Sequence, residues 1–391
     1  MKFDFDKVVD RHGTKCLKYD FAKERGRSDD MLPLWVADMD FQTAPGIQKS
    51  LSDAVAHGIY GYSEGKDDYF QAAAGWYEKY FGWKVEKEWL IKTPGVVFAL
   101  AMAVKAYTKE GDAVLLQQPV YYPFSEVITD NHRRLINSPL QQIDGHYEIN
   151  FEEFEQKIVE ENVKLFLMCS PHNPVGRVWK EWELRKIGDI CLKHNVLVVS
   201  DEIHSDFTYG ENIHHVFASL DEKYAAITTT CTAPSKTFNI AGLQISNIWI
   251  SNPELRARFR AEVTAAGYSQ VNLMGLVACQ AAYETGEEWL KELKIYLEGN
   301  LDYVRTFLKE NLPEIKLTEP EGTYLLWLDF KSLGMKEEQL KDLVENKAKL
   351  WLDSGAMFGP DGEGFERINI ACPREILKQA LTQLAESVHD R

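Results

Sequence analysis

The sequence is poor in cysteine, has no long apolar run and carries no excess of positive charge. Its six cysteines (Cys16, Cys169, Cys191, Cys231, Cys279 and Cys372) are scattered, with no CxxC pair. That spacing argues against a disulfide framework and against a thiolate metal site. Several lie inside apolar runs such as Leu165-Phe166-Leu167-Met168-Cys169, so free buried thiols in a reducing cytosol are expected. No stretch approaches the roughly 18 apolar residues of a membrane-spanning helix. The opening Met1-Lys2-Phe3-Asp4-Phe5-Asp6 carries acids and no apolar h-region, so a signal peptide is not expected and the cytoplasm is. With 44 basic against 60 acidic residues, the net charge of −16 opposes nucleic-acid phosphates and anionic membranes, and neither is expected as a partner. No internal repeat or low-complexity segment is visible.

The chain does have enough apolar material for a large core. Of 391 residues, 45% are apolar and 12% aromatic, a globular composition whose length suggests two or three domains. Residues 33–62, rich in Pro, Gly and aromatics, read as irregular. Residues 67–81 and 96–107 have helical period, the latter opened by Thr93-Pro94-Gly95. Short apolar runs at 113–116, 164–169, 196–200, 226–230 and 245–250 follow, with helical segments at 151–161 and 182–194 between them. Buried strands alternating with helices predict an α/β fold with a mainly parallel sheet. Beyond Pro253, helices are expected at 254–268, 273–285 and 287–312, then strands at 323–328 and 367–370. The expected division is a large domain over 46–285 and a smaller α+β domain built from 1–45 and 286–391.

In an open parallel sheet, ligands bind beyond the carboxyl ends of the strands, so what each run delivers as it ends matters. The run at 113–116 leads into Gln117-Gln118-Pro119-Val120-Tyr121-Tyr122. The next leads into Ser170-Pro171-His172-Asn173-Pro174-Val175-Gly176, the third into Asp201-Glu202-Ile203-His204, and the fourth into Ala233-Pro234-Ser235-Lys236. An aromatic pair, an amide in a turn, an acid with a histidine, and a lysine are what a pyridine aldehyde cofactor requires. A lysine amine bonds the aldehyde and later moves protons. An acid keeps the ring nitrogen protonated, an amide or imidazole bonds the ring hydroxyl, and an aromatic ring stacks. The helix opened by Gly95 offers free N–H groups to a phosphate. Each residue alone has a plainer explanation: a loop acid, a turn amide, packing tyrosines, a solvated lysine. Their order on successive strand ends is what points to one site.

The motifs also carry a family resemblance. Ala233-Pro234-Ser235-Lys236-Thr237-Phe238-Asn239 resembles the cofactor-lysine segment of pyridoxal-phosphate (PLP) enzymes of the class I/II aminotransferase superfamily, fold type I, and Asn173-Pro174-Val175-Gly176 resembles their NPxG turn. Asp201-Glu202-Ile203-His204-Ser205-Asp206, Leu34-Trp35-Val36-Ala37-Asp38-Met39-Asp40-Phe41 and His57-Gly58-Ile59-Tyr60-Gly61-Tyr62 resemble the cystathionine β-lyase (C–S lyase) subgroup of MalY/PatB type. The resemblance spans residue 30 or so to the C-terminus. It implies that Lys236 carries PLP and is catalytic, that Asp201 pairs with the pyridine nitrogen, and that Asn173 and His204 bond the ring hydroxyl. It implies that Tyr121 stacks on the ring and that Gly95 with the N–H groups of Val96 and Val97 holds the phosphate. Relatives place a serine or glycine at the position of Ala233, so Ser235 or Thr232 is expected to take over that phosphate contact. Arg367 would clamp the substrate carboxylate. A homodimer is implied, with Tyr62 (or Tyr60) reaching the partner's phosphate; no metal is. Trp35, Val36 and Tyr324 either line the pocket or pack.

The implied activity is β-elimination from sulfur-containing amino acids to pyruvate, ammonia and a thiol. Aminotransfer shares its first steps and uses the same residues, and a lyase with an added regulatory protein contact is a further alternative.

Overall fold

The computed structural model describes residues 2–390, and its centre is a seven-stranded sheet. In chain order its strands are β1 (Leu90–Thr93), β2 (Ala113–Leu116), β3 (Arg134–Asn137), β4 (Val163–Cys169), β5 (Leu197–Asp201), β6 (Thr228–Thr232) and β7 (Ser246–Trp249). Across the sheet they lie in the order β1-β7-β6-β5-β4-β2-β3. All neighbours are parallel except β7, which is antiparallel to both β1 and β6. Because β7 alone is reversed, β1, β2, β4, β5 and β6 all end at the same edge.

The strands are apolar throughout because both faces are covered. Alternate side chains point to opposite faces. Val114, Leu116, Leu165, Leu167 and Val199 pack with Leu100 and Val104 of helix Val96–Tyr107 and with Phe259 of helix Pro253–Ala265. Their neighbours Ala113, Leu115, Phe166, Met168 and Val198 pack the other way, against Phe154 of helix Phe151–Glu160 and Leu184 and Ile187 of helix Glu181–Lys193. The threonine-rich β6 is buried too, and most of its hydroxyls bond locally: Thr228 to the Tyr224 carbonyl, Thr229 with the Tyr107 hydroxyl, Thr232 to the Asn247 carbonyl.

A second sheet is antiparallel, with β8 (Lys316–Thr318), β9 (Leu325–Asp329), β10 (Asp353–Ser354) and β11 (Phe365–Asn369) in the order β8-β9-β11-β10. Helices Glu287–Asn311 and Arg374–His389 pack with it in one apolar cluster that also takes in Phe5, Leu34, Met39 and Phe41. No helix among the described residues is long and apolar enough to cross a membrane.

The expected mainly parallel sheet and its helices are present, most within one or two residues of their predicted ends. Residues 33–62 are not irregular throughout: Pro45–His57 is a helix. Its Pro45 and Gly58 read as breakers in the sequence, yet Pro at a helix start and Gly just past the end are boundary signals. Gly58 closes the helix at φ +73, and Gly46 lets it approach Thr285 so closely that a Cβ would collide. Strands β1, β3, β8 and β10 were not expected; each is short, and β3 and β8 are sheet edges with weak apolar signal.

The segment 36–41 crosses between the two sheets and is held by polar side chains. Asn239 accepts from the Met39 N–H and donates to the Met39 and Phe41 carbonyls. Asn369 donates to the Val36 and Asp38 carbonyls. Beneath it, the fully buried Lys18 ammonium sits 2.7 Å from Asp40, which Arg11 also contacts at 2.7 Å. Removing one partner of a buried pair leaves an uncompensated charge. Asp40→Ala, which takes the close partner from the buried Lys18 ammonium, is therefore expected to destabilise the protein by about 3 kcal/mol, read as a lowered urea midpoint. A change under about 0.5 kcal/mol, the range of a surface substitution, would contradict this account of the segment.

Candidate active site

The common edge of the parallel strands opens onto a cavity of about 190 Å³. Its lining includes Gly95, Val96 and Val97 after β1, Tyr121 after β2, Asn173 after β4, Asp201, Ile203 and His204 from β5 onward, and Ser235 and Lys236 after β6. Five separate strand ends thus deliver the expected groups to one place. Tyr62 and Arg367 lie outside this lining.

Lys236 follows Pro234, which starts a short helical turn at the end of β6. Its Nζ donates to the Ala37 carbonyl at 2.9 Å, so segment 36–41 forms one wall. Burial pushes the ammonium down to about 8, with Asp38 and Asp201 opposing and Arg367 assisting the shift. Asp201, the last residue of β5, accepts the Ile203 N–H at 3.1 Å. Burial pushes its carboxyl up to about 7; the Ile203 N–H and Lys236 oppose this, and Glu202 adds to it. An acid and an amine that both change charge near neutrality face the same small cavity. His204 is held neutral, its pKa lowered to about 3 by burial and by the Lys236 and Arg367 charges; its Nδ1 is buried with no hydrogen-bond partner.

The turn 173–177 is fixed by Gly176, whose φ of +72 and 3.0 Å approach to Pro320 leave no room for a side chain. Arg177, buried between Glu183 and Glu321, anchors its far end. Asn173 is left 3% exposed, its Oδ1 accepting from Arg367 Nη1 at 2.9 Å and its carbonyl accepting from the Tyr121 N–H.

Gly95 caps helix Val96–Tyr107 with no side-chain bond to the first-turn N–H groups. Those groups have no intrahelical partner. Apart from its chain neighbours, no protein atom lies within 4 Å of where a Cβ at Gly95 would sit, so the space beside that residue is open. An anion is the natural occupant. Of the two hydroxyls expected to serve beside Ala233, Ser235 lines the cavity. Thr232 is spent on the Asn247 carbonyl and the Trp249 indole.

Arg367 is 2% exposed on β11, not a surface arginine. Its Nη2 contacts Asp353 and donates to the Trp35 carbonyl at 3.0 Å, while its Nε is buried and unpartnered. Asp353 was missed by sequence reasoning; a single acid after Trp351-Leu352 gives no sign that it faces an arginine fourteen positions on. Tyr62 is 92% exposed and Tyr60 62%, with no contact to the cavity of their own chain. Trp35 stacks on Trp351 at 4.5 Å, and Tyr324 is fully buried, donating to the Ala37 carbonyl. Both pack rather than line this cavity, and Val36 borders a neighbouring one with Arg11 and Asp38.

Comparison with known proteins gives consistent results. The family description aminotransferase class I and II matches residues 30–384. The cystathionine β-lyase PatB of Bacillus subtilis is 43% identical over 97% of this chain and 98% of its own. Protein MalY of Escherichia coli is 34% identical over 99% of each. Cystalysin of Treponema denticola, whose crystal structure contains pyridoxal 5′-phosphate, superposes with a TM-score of 0.96 at 39% identity, covering all of both chains.

The amine of Lys236 should react as a neutral nucleophile at unusually low pH. With trace formaldehyde and a mild hydride, dimethylation of Lys236 in cofactor-free protein is expected to reach half its plateau rate near pH 8, by peptide mass mapping. Exposed lysines, near 10.4, should lag by about two pH units. A Lys236 profile matching theirs would overturn the reading of its environment.

Proposed function

This chain belongs to the aminotransferase class I and II family, and we propose that within it the chain is a PLP-dependent carbon–sulfur lyase. The reaction is β-elimination from a cysteine thioether such as cystathionine: with one water, the products are pyruvate, ammonia and a thiol. One observation carries the choice of lyase, the near full-length similarity at 43% identity to a cystathionine β-lyase.

The residues around the cavity suit the cofactor. The open space beside Gly95, the unpartnered His204 Nδ1 and the buried Asp201 carboxyl are complementary to a phosphate, a ring hydroxyl and a ring nitrogen. When bound, PLP supplies an electron sink for the negative charge that develops at the substrate Cα. The N–H groups of Val96 and Val97, beside Gly95, and the Ser235 hydroxyl would hold the phosphate. Asp201 would keep a proton on the ring nitrogen; facing a cation there, its carboxyl returns to the ionised form. Asn173 and His204 would bond the ring hydroxyl, and Tyr121 would cover one ring face.

Lys236 would hold the cofactor covalently, and once substrate displaces it, its Nζ would be free to take the Cα proton. Its lowered pKa keeps a useful fraction neutral at physiological pH. Arg367 would clamp the substrate α-carboxylate, exchanging its Asp353 contact for the ligand's two oxygens. A carboxylate held there and a base at Lys236 fix the Cα–H bond towards the amine. Residues 46–285 would form the cofactor-holding part, with 1–45 and 286–391 closing over it.

A homodimer is part of this reading. Ile59, Tyr60 and Tyr62 are all more than 60% exposed within four residues, an apolar patch that a second copy would cover. Tyr62 would then reach the partner's phosphate site. Sedimentation at micromolar concentration is expected to give twice the 44.8 kDa chain mass. A monomer binding PLP at full affinity would contradict the shared site.

Purified holoenzyme given L-cystathionine without a keto acid is expected to release pyruvate and thiol in equal amounts. Lys236→Ala should lower that rate by about 100-fold or more. Turnover that appears only when a keto acid is added would instead make the protein an aminotransferase.

A further inference from the structure

Segment 36–41 touches Lys236 at one carbonyl and brings a charge beside it. The Ala37 carbonyl accepts from Lys236 Nζ at 2.9 Å and from the fully buried Tyr324 hydroxyl at 3.0 Å, which fixes where the amine rests. Asp38 is the next residue. Lys236 also borders a second cavity, of about 540 Å³, together with Arg11, Lys15, Asp38 and Asn239. The lysine therefore faces two spaces, one lined by Asp201 and the other by Asp38.

The two oxygens of Asp38 are used unequally. Oδ2 lies 2.6 Å from Arg11 Nη2. Oδ1 is buried, takes no hydrogen bond and lies 3.9 Å from the Lys18 ammonium, which is itself engaged by Asp40 at 2.7 Å. A carboxylate oxygen with unused lone pairs, one residue along from the carbonyl that holds an amine, favours the ammonium form of that amine.

The other groups around Lys236 leave this part to Asp38. Burial and Arg367 favour the neutral amine, while Asp38, ahead of Asp201, favours the ammonium. Asp201 would be answered by the ring nitrogen of the cofactor, and Arg367 is answered by Asp353. His204 is held neutral, and burial keeps the Tyr121 and Tyr324 phenols protonated. Of the remaining charges at the second cavity, Arg11 pairs with Asp38 and Asp40, and Lys15 is exposed.

We propose that Asp38 is a positioning residue for Lys236: its carboxylate stabilises the ammonium that Nζ becomes on taking the substrate Cα proton, and so sets the strength of that base. The proposal rests on the reading of Lys236 as the base. Arg11 restrains Asp38, and the carboxylate, not the ion pair, acts on the lysine.

The test separates the charge of Asp38 from the packing of its segment. Asp38→Asn and Arg11→Gln break the same ion pair, and only the first removes the carboxylate. In cofactor-free protein, the pH at which Lys236 reaches half its plateau rate of reductive methylation is expected to fall by about one unit in Asp38→Asn. Well below that midpoint, labelling of Lys236 relative to exposed lysines should then rise about tenfold. Arg11→Gln should not lower the midpoint. In protein loaded with PLP, the pH midpoint of the cofactor's visible band should fall likewise in Asp38→Asn and not in Arg11→Gln. Asp38→Ser gives an independent reading of the same charge removal, and the exposed lysines of each variant are an internal reference for its folding. An unmoved midpoint in both Asp38 variants, or a comparable fall in Arg11→Gln, would overturn the proposal. Failure to bind PLP would remove the proposed function, and the methylation profiles would still decide whether Asp38 acts on Lys236.

Discussion

A carboxyl group buried at the end of a central parallel strand sets the terms for the rest of this molecule. Asp201 is 6% exposed, and its titration near 7 records what withdrawal from water costs the ionised form. Its folded pKa lies above its ordinary value, so the associated stability is full at low pH and fades as pH rises through about 7. A fold tolerates such a group where a cation will meet it. Lys236, lowered to about 8 by the same burial, stands across the cavity and is only a partial counter-charge. The unfilled need for a cation between them is the physical reason to place a protonated pyridine there.

The architecture supplies that juxtaposition through the shared edge of its parallel strands. Reversing β7 alone leaves six strands ending at one edge, and five of them deliver one or more side chains or N–H groups to the cavity. The polar clamps by Asn239 and Asn369 then hold segment 36–41 across the opening, giving the Lys236 amine a carbonyl to rest on. The two sheets meet at Arg367, whose guanidinium contacts Asn173 from one and Asp353 from the other. In the proposed reading, the side chain that would clamp the substrate is also the one that joins the two sheets.

Much of this was legible in the sequence because strand ends are local. Apolar runs located β2, β4, β5, β6 and β7, and the residues just beyond them named Tyr121, Asn173, Asp201, His204, Ser235 and Lys236, all of which border one cavity. What escaped was contact between distant segments. Nothing in Trp351-Leu352-Asp353 announces a partner in Arg367. Helix Pro45–His57 escaped for a different reason: its boundary residues mimic a loop, and of its residues only Ile47 is buried, which leaves a weak periodic signal. The choice between Ser235 and Thr232 needed the backbone, since only geometry shows that the Thr232 hydroxyl is already engaged.

The central claim is that one lysine and one acid embrace a single pyridine aldehyde. Borohydride reduction of the cofactor-loaded protein, followed by peptide mass mapping, tests it most directly. The account predicts a phosphopyridoxyl group on Lys236 at one per chain, and loss of its visible absorption shift when Asp201 is replaced by Asn. A label on another lysine, or none at all, would contradict it.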